Sequence, residues 1–314
     1  MRTLTLFLVL AGLGLVSGCA SDPPRARRDA GSSPPPGDGG APIAGDAGAP
    51  IDEPDGGDPF ASLDRARDPA CPGEWVAGIA GRVLDEAGRP LAGAMAQPCM
   101  AIAGSDRRLC LEPGATNAQG RFAIEVIGEA RCVDEVAMRV IVPRAARSSA
   151  YCPIALEPED GVLAIGGAFT LFETLAPSAR GASTRWDGAE LEVVAESLDE
   201  GAFDRLSARV LDGSELARMC PGGDHAGFDL ALTFAPEGPV YDTGAGFRIT
   251  RAMPGDRYEV LVLGGVGTQL LDGTLVPEAV WARFGTARRG SDGAVVPEAG
   301  TRIPHLSTIA LRRM

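Results

Sequence analysis

Ala77-Gly78-Ile79-Ala80-Gly81-Arg82-Val83-Leu84-Asp85, followed by Glu86-Ala87-Gly88-Arg89-Pro90 and then Leu91-Ala92-Gly93-Ala94, is the stretch whose reading decides the fold. The first part alternates apolar with small or polar residues and predicts a strand. The second part is turn chemistry, with glycine for unusual dihedrals and proline to preset one. The third part leads into the next strand.

Working outward, Thr116-Asn117-Ala118-Gln119-Gly120 is a second turn, and Arg121-Phe122-Ala123-Ile124-Glu125-Val126 is a strand again. Val136, Met138, Val140 and Val142 share one face of a further strand. Val162–Ile165 and Phe169–Phe172 are strand-like and extend the same unit.

The pattern Gly81-x-Val83-x-Asp85-x-x-Gly88-x-Pro90-Leu91-x-Gly93-Ala94, then Thr116-Asn117-x-x-Gly120-x-Phe122-x-Ile124, resembles the carboxypeptidase regulatory-like family. That resemblance covers residues 76–145. It implies a small transthyretin-like sandwich with a display role and no active site of its own. Phe122 and Ile124 are expected to fill the core. Gln97-Pro98-Cys99 through Cys110 departs from the pattern, and a disulfide-closed loop is expected there in place of a clean strand.

At the N-terminus, Arg2 precedes an apolar run from Leu4 to Leu15, and Leu15-Val16-Ser17-Gly18-Cys19 follows. A positive start, a short apolar run and small residues before a cut form an export signal. The run is too short to span a bilayer as a helix. The cysteine after Val-Ser-Gly resembles the bacterial lipoprotein signal. That resemblance implies that Cys19 is acylated and becomes the first residue of the mature chain. Ala20 follows without an aspartate, which favours the outer membrane of the envelope.

Residues 19–70 predict a disordered tether rich in Pro, Gly, Ala and Asp, because so few large apolar residues cannot bury enough surface to fold. A flexible chain of about 50 residues spans roughly 40 Å, and a proline-rich acidic one spans more. The domain plan is therefore a signal at 1–18, the tether, a sandwich with its extension at 71–180, and a second β-rich domain at 181–314. The fold class is mainly β: a transthyretin-like or immunoglobulin-like sandwich followed by a second sandwich-like unit.

In the second unit, Phe228, Leu230, Leu232 and Phe234 alternate with Asp229, Ala231 and Thr233 in the cleanest two-residue period of the chain. Ala189–Ala195 reads as a strand. Gly246–Ile249 and Tyr258–Val262 read as strands across Pro254-Gly255. Leu306–Leu311 reads as a closing strand. Ser197-Leu198-Asp199-Glu200 has capping-box spacing, with Phe203, Leu206 and Val210 behind it, and predicts a short helix. Pro277–Phe284 is read as another helical segment.

Composition limits the chemistry. All 29 basic residues are arginine, so Schiff-base lysines and phosphate-loop lysines are excluded. The charge is −13; loss of Arg2 with the signal leaves 28 arginines against 42 acids, or −14. That balance argues against nucleic acid and against docking on anionic lipid. With Cys19 acylated, the other six of the seven cysteines are Cys71, Cys99, Cys110, Cys132, Cys152 and Cys220. An even set in an exported protein predicts disulfides. The pairing is open, with Cys99–Cys110 preferred because a short hairpin joins them. No Cys-x-x-Cys occurs, and His225 and His305 lack ligand spacing, so no metal and no cofactor are expected.

No Gly-x-Ser-x-Gly elbow accompanies Asp224-His225 or His305, so neither histidine is assigned a catalytic role. Glu190/Glu192 and Asp199/Glu200 read as solvated faces. Asp212-Gly213, Asp272-Gly273 and Asp292-Gly293 read as hairpin turns before calcium sites. Trp75, Trp186 and Trp281 read as core residues before a sugar platform. The expectation is a non-enzymatic envelope lipoprotein. It is held to the bilayer through Cys19 and binds an envelope protein or glycan. A hydrolase with an acidic site in the second unit and a carbohydrate-binding lipoprotein are the alternatives.

Overall fold

In a computed structural model of the chain, residues 58–178, 183–192, 206–221, 223, 227–237 and 240–314 are described. The expected signal at 1–18, Cys19, most of the expected tether, Asp199/Glu200 and Asp224-His225 lie outside them. The described residues belong to one compact unit, 45–314.

Alternation along Gly78–Asp85 builds the first body, a sandwich of two sheets. The larger sheet has the order β1 (Glu74–Trp75), β7 (Cys132–Ile141), β3 (Met95–Ile102), β4 (Arg108–Cys110). In the same sheet β5 (Gly114–Ala115) pairs with β3, and β8 (Ala150–Ile154) pairs with β7. The facing sheet has the order β10 (Phe169–Leu171), β2 (Gly78–Asp85), β6 (Arg121–Glu125), with β9 (Val162–Ala164) also on β2. β9 and β10 both run parallel to β2, Val162 opposite Gly78 and Phe169 opposite Val83.

Ile79, Val83, Phe122 and Ile124 of the smaller sheet share one buried cluster with Met100, Val136, Met138 and Val140 of the larger. Phe122 and Phe169 sit 6.1 Å apart, ring centre to ring centre. The turn residues serve as expected from their chemistry. Asp85 accepts from the backbone N–H groups of Ala87 at 2.9 Å and Arg89 at 2.8 Å, and from Arg89 Nε at 2.7 Å. Gly120 has φ +70°, and a Cβ there would lie 2.4 Å from the Val83 carbonyl oxygen, so only glycine fits.

The second body is one ten-stranded sheet. Its order is β11 (Ser183–Trp186), β12 (Ala189–Glu192), β15 (Val240–Ile249), β18 (Val295–Pro297), β17 (Trp281–Arg289), β16 (Arg257–Leu263), β20 (Ile309–Arg313), β14 (Phe228–Ala235), β13 (Ser207–Asp212). A further strand, β19 (Ile303–His305), pairs with β15. The sheet curls on itself, because Trp186, Leu191, Val210, Leu232, Phe247 and Val260 from all along this order share one core.

The connection from the first body completes the curl. Leu175 exchanges both backbone hydrogen bonds with Ala208, at 3.0 and 3.1 Å, on the free edge of β13. Three residues on, the Ser178 N–H donates to the Arg185 carbonyl at 2.7 Å on the free edge of β11.

The alternation of β14 divides between two cores. Leu230, Leu232 and Phe234 point into the curled sheet, while Ala231 faces the sandwich core with Leu211, Leu261 and Ala310. A register shift between Phe228 and Leu230 turns Phe228 to the sandwich side as well. α1 (Gly213–Met219) adds Leu216 and Met219 to that core.

The structure departs from the sequence expectations in several places. The packed body begins before Cys71: Phe60 is 3% exposed, and its ring lies against Gly78. Pro98 lies inside a continuous strand opposite Met138, because β4 rather than an open loop closes that side of β3. The expected helix through Leu206 and Val210 is absent where it is described: Leu206 lies just before strand β13, which holds Val210, and residues four apart share a face in extended chain as in a helix. The expected helix at Pro277–Phe284 gives way to β17, and Ala279, at φ +61°, has a left-handed backbone that no α-helix accepts. The strands flanking Pro254-Gly255 are present but do not pair, since β17 and β18 stand between them.

Candidate functional site

A cavity of about 590 Å³ opens where the two bodies meet. It lies between the end of β7 with the loop after it and the adjoining ends of β13 and β14. Its apolar lining comes from Ile141, Val142, Pro143, Ala145, Ala235 and Pro236, all aliphatic. Its polar lining comes from Arg139, Arg144, Arg147, Ser149, Ser207 and Glu237.

Glu237 anchors one wall. Its Oε1 accepts from Arg139 Nε at 2.8 Å, from Arg139 Nη2 at 2.5 Å and from the Tyr151 hydroxyl at 2.8 Å. The Arg139 guanidinium lies 5.8 Å from the centre of the Tyr151 ring. Burial pushes the Tyr151 phenol up, and the negative charge of Glu237 adds to the effect, so it stays a neutral donor. Burial alone would loosen the Arg139 proton, but Glu237 outweighs it and holds the guanidinium more firmly charged.

The other two arginines differ. Arg147 reaches Glu86 Oε2 and the Leu171 carbonyl, both at 3.2 Å. Arg144 is exposed, has no ionic partner among the described residues, and adopts φ +61°. Non-glycine residues avoid that region, and residues held there cluster at binding sites. The loop that imposes it is tied by Ala145 N–H to the Val142 carbonyl at 3.2 Å and by Thr174 N–H to the Ala146 carbonyl at 2.8 Å.

Three disulfides brace this frame: Cys71–Cys132, Cys99–Cys110 and Cys152–Cys220. Cys99 and Cys110 face each other across the β3–β4 hairpin, the pair favoured on sequence grounds. Cys152–Cys220 joins β8 of the sandwich to the end of α1 and lies one residue from Tyr151.

A second cavity, of about 640 Å³, gathers Asp187, Asp212, Glu215, Arg209 and Arg251 around the β11–β12 turn and the start of α1. These carboxylates serve the fold. Asp212 caps α1 by accepting from Glu215 N–H at 2.9 Å, and Glu215 returns a bond to Asp212 N–H at 3.0 Å. The Ser214 hydroxyl and the Glu215 N–H hold Asp212 below the usual carboxylate range. Glu215 also pairs with Arg209 at 2.9 Å.

The other sequence candidates are not brought together. Asp212-Gly213 is a helix cap, not the expected hairpin turn. Asp272-Gly273 and Asp292-Gly293 are turns, with φ +84° at both glycines. Glu190 pairs with Arg185 at 3.2 Å on the outer face of β12. His305 is buried within β19. Trp75, Trp186 and Trp281 lie on separate strands and pack separately: Trp75 under Arg131, Trp186 against Phe234, Trp281 against Phe228 at 4.8 Å. No group of three His, Cys, Asp or Glu side chains is placed to hold a metal ion among the described residues.

Sequence reading missed Arg139, Arg144, Tyr151 and Glu237. Arg139 interrupts the apolar run of β7, and Glu237 sits 98 residues away beside a proline, where it reads as a turn. Nothing periodic connects them.

No protein family matches the chain, and no curated protein matches its sequence. Among solved structures it is similar to the 3-chlorocatechol 1,2-dioxygenase of Rhodococcus opacus 1CP, at 16% identity and a TM-score of 0.20. That match covers 34% of this chain and 62% of the dioxygenase, so the chain spans less than two thirds of that enzyme's length. It is also similar to the full-length major pilin SpaD of Corynebacterium diphtheriae, at 8% identity and a TM-score of 0.22, over 79% of this chain and 88% of the pilin. Both scores are too low to bear on fold or function.

Proposed function

We propose that the chain is a non-enzymatic envelope lipoprotein whose β body is a binding module, with the cavity between sandwich and curled sheet as its ligand site. The observation that carries the reading is that cavity. Aliphatic walls with a few converging polar groups, held on disulfide-braced sheets, are the usual form of a small-ligand site. Anchoring rests on Leu15-Val16-Ser17-Gly18-Cys19. The acylated Cys19 would sit in the bilayer, with outer-membrane placement favoured by Ala20. The resemblance of residues 76–145 to the carboxypeptidase regulatory-like family belongs to the same proposal. It is supported by the buried Phe122 and by the left-handed backbone at Gly88, Gly93 and Gly120.

The hydrolase alternative draws less support, because Asp212 and Glu215 in the second cavity cap a helix and pair with arginine. A general acid needs a carboxylate pushed up, and Asp212 is pushed down. A glycan platform draws less support as well, because the tryptophans pack on different clusters.

The test of the address is mass spectrometry of the N-terminal peptide from protein taken out of its native membranes. The reading expects a peptide beginning at Cys19 and carrying a diacylglyceryl thioether. A Cys19 bearing a free thiol, or a first residue elsewhere, rejects it.

A further inference from the structure

The walls of the cavity at the seam also specify a ligand, an inference that rests on the binding-module reading. Among the described residues the apolar lining is aliphatic throughout, with no aromatic face on which a planar ring would stack. The body of the ligand is therefore aliphatic. The polar lining is cationic, with three arginines against one glutamate, in a chain whose net charge is −13. Two of those arginines are already matched: Arg139 by Glu237 at 2.5 Å, and Arg147 by Glu86 at 3.2 Å. Among the described residues the charge of Arg144 is left over. An exposed arginine that lines an apolar cavity and has no partner among the described residues suits a carboxylate, which its planar fork binds through two hydrogen bonds.

Backbone strain supports the assignment. Among the described residues Arg144 is one of three non-glycine residues with positive φ, and its loop is pinned by hydrogen bonds at Ala145 and Ala146. A glycine would relieve that strain, so the arginine is held there at a cost that a binding role would explain.

We infer that the cavity takes a small aliphatic carboxylate, its chain against Val142, Pro143, Ala235 and Pro236 and its head on the Arg144 guanidinium.

The test is calorimetric titration of the full chain, disulfides formed, with octanoate, octanol and octylammonium below their aggregation limits. Octanoate is expected to bind at least about ten-fold more tightly than either analogue, as one added charged hydrogen-bonded contact implies. Arg144→Gln should lose about ten-fold for octanoate alone, and Arg144→Lys should restore part of it. Equal or tighter binding of octanol or octylammonium, or an unchanged octanoate affinity in Arg144→Gln, overturns the carboxylate assignment and leaves the cavity as a binding site. Failure of all three probes to bind at millimolar concentration overturns the assignment and the binding-module reading together.

Discussion

Trp186 meets Phe234 edge-on, their ring centres 6.3 Å apart and their planes at 74°, although β11 and β14 stand near opposite ends of the ten-strand order. An open sheet would hold these strands far apart. Their contact shows that the sheet rolls over and encloses its own core. Trp186 and Phe234 are 6% and 1% exposed, and both belong to that core.

Phe234→Ala should therefore cost about 3–5 kcal/mol, the usual range for deleting a buried aromatic ring. Phe234→Leu should cost about 1–2 kcal/mol, because most of the volume is kept. Equilibrium urea unfolding followed by far-UV circular dichroism gives both values. A cost below about 1 kcal/mol for the alanine variant would mean that the two ends of the sheet do not depend on each other.

The disulfides should differ in worth by the loops they close. Cys152–Cys220 spans 68 residues and Cys99–Cys110 spans 11. Chain entropy gives about 4 kcal/mol for the longer loop and about 3 kcal/mol for the shorter. Paired Cys→Ala substitutions, compared by thermal unfolding, should rank Cys152/Cys220 as the more damaging loss. The reverse ranking would mean that the sandwich and α1 hold together without the covalent link.

Acid should weaken the first sandwich through Asp85. Burial alone would raise this carboxyl, but bonds from Arg89 and Ala87 overcome it and hold the group below its ordinary value. A depressed folded value means stability that is present above the unfolded carboxylate value, about 3.9, and lost as pH falls toward the folded one. Asp85→Asn should flatten the part of the stability–pH curve below about pH 4. A variant curve parallel to that of the parent chain would show that Asp85 does not titrate with unfolding.

The Arg139–Glu237 pair should be coupled. Arg139→Met leaves Glu237 charged with only the Tyr151 hydroxyl and should cost about 2–3 kcal/mol, somewhat under the range for a fully buried pair. Adding Glu237→Gln should recover about 1 kcal/mol or more of that loss. A double-mutant cycle in urea measures the coupling, and strictly additive costs would show that the pair does not stabilise the seam.

Much of the fold was legible because it depends on local rules. The Gly88, Pro90 and Gly120 turns, the alternation in β2, β7 and β14, and the Cys99–Cys110 hairpin all follow from neighbours in sequence. Spacing misled where two structures share it: Leu206, just before β13, and Val210 within it are four apart, a spacing that puts side chains on one face of extended chain as readily as of a helix. The capping box, Asp212 with Glu215, stands next to a glycine and reads as a turn in sequence. The site was hidden for a different reason. Arg139, Arg144 and Glu237 come from two bodies and line one cavity only where the end of β7 and the loop after it face the ends of β13 and β14, and no short-range pattern records that meeting.

The most direct test of the binding account is to fill the cavity. Ala145→Trp places an indole among its aliphatic walls while leaving the Arg139–Glu237–Tyr151 cluster and the disulfides untouched. Octanoate titrated into the parent chain and the variant, with the melting temperature of each recorded, reads binding and folding separately. The account predicts one site in the parent chain, and a variant that melts within a few degrees of it but binds at least about ten-fold more weakly. A folded variant with undiminished affinity would contradict it, since the ligand would then be held elsewhere.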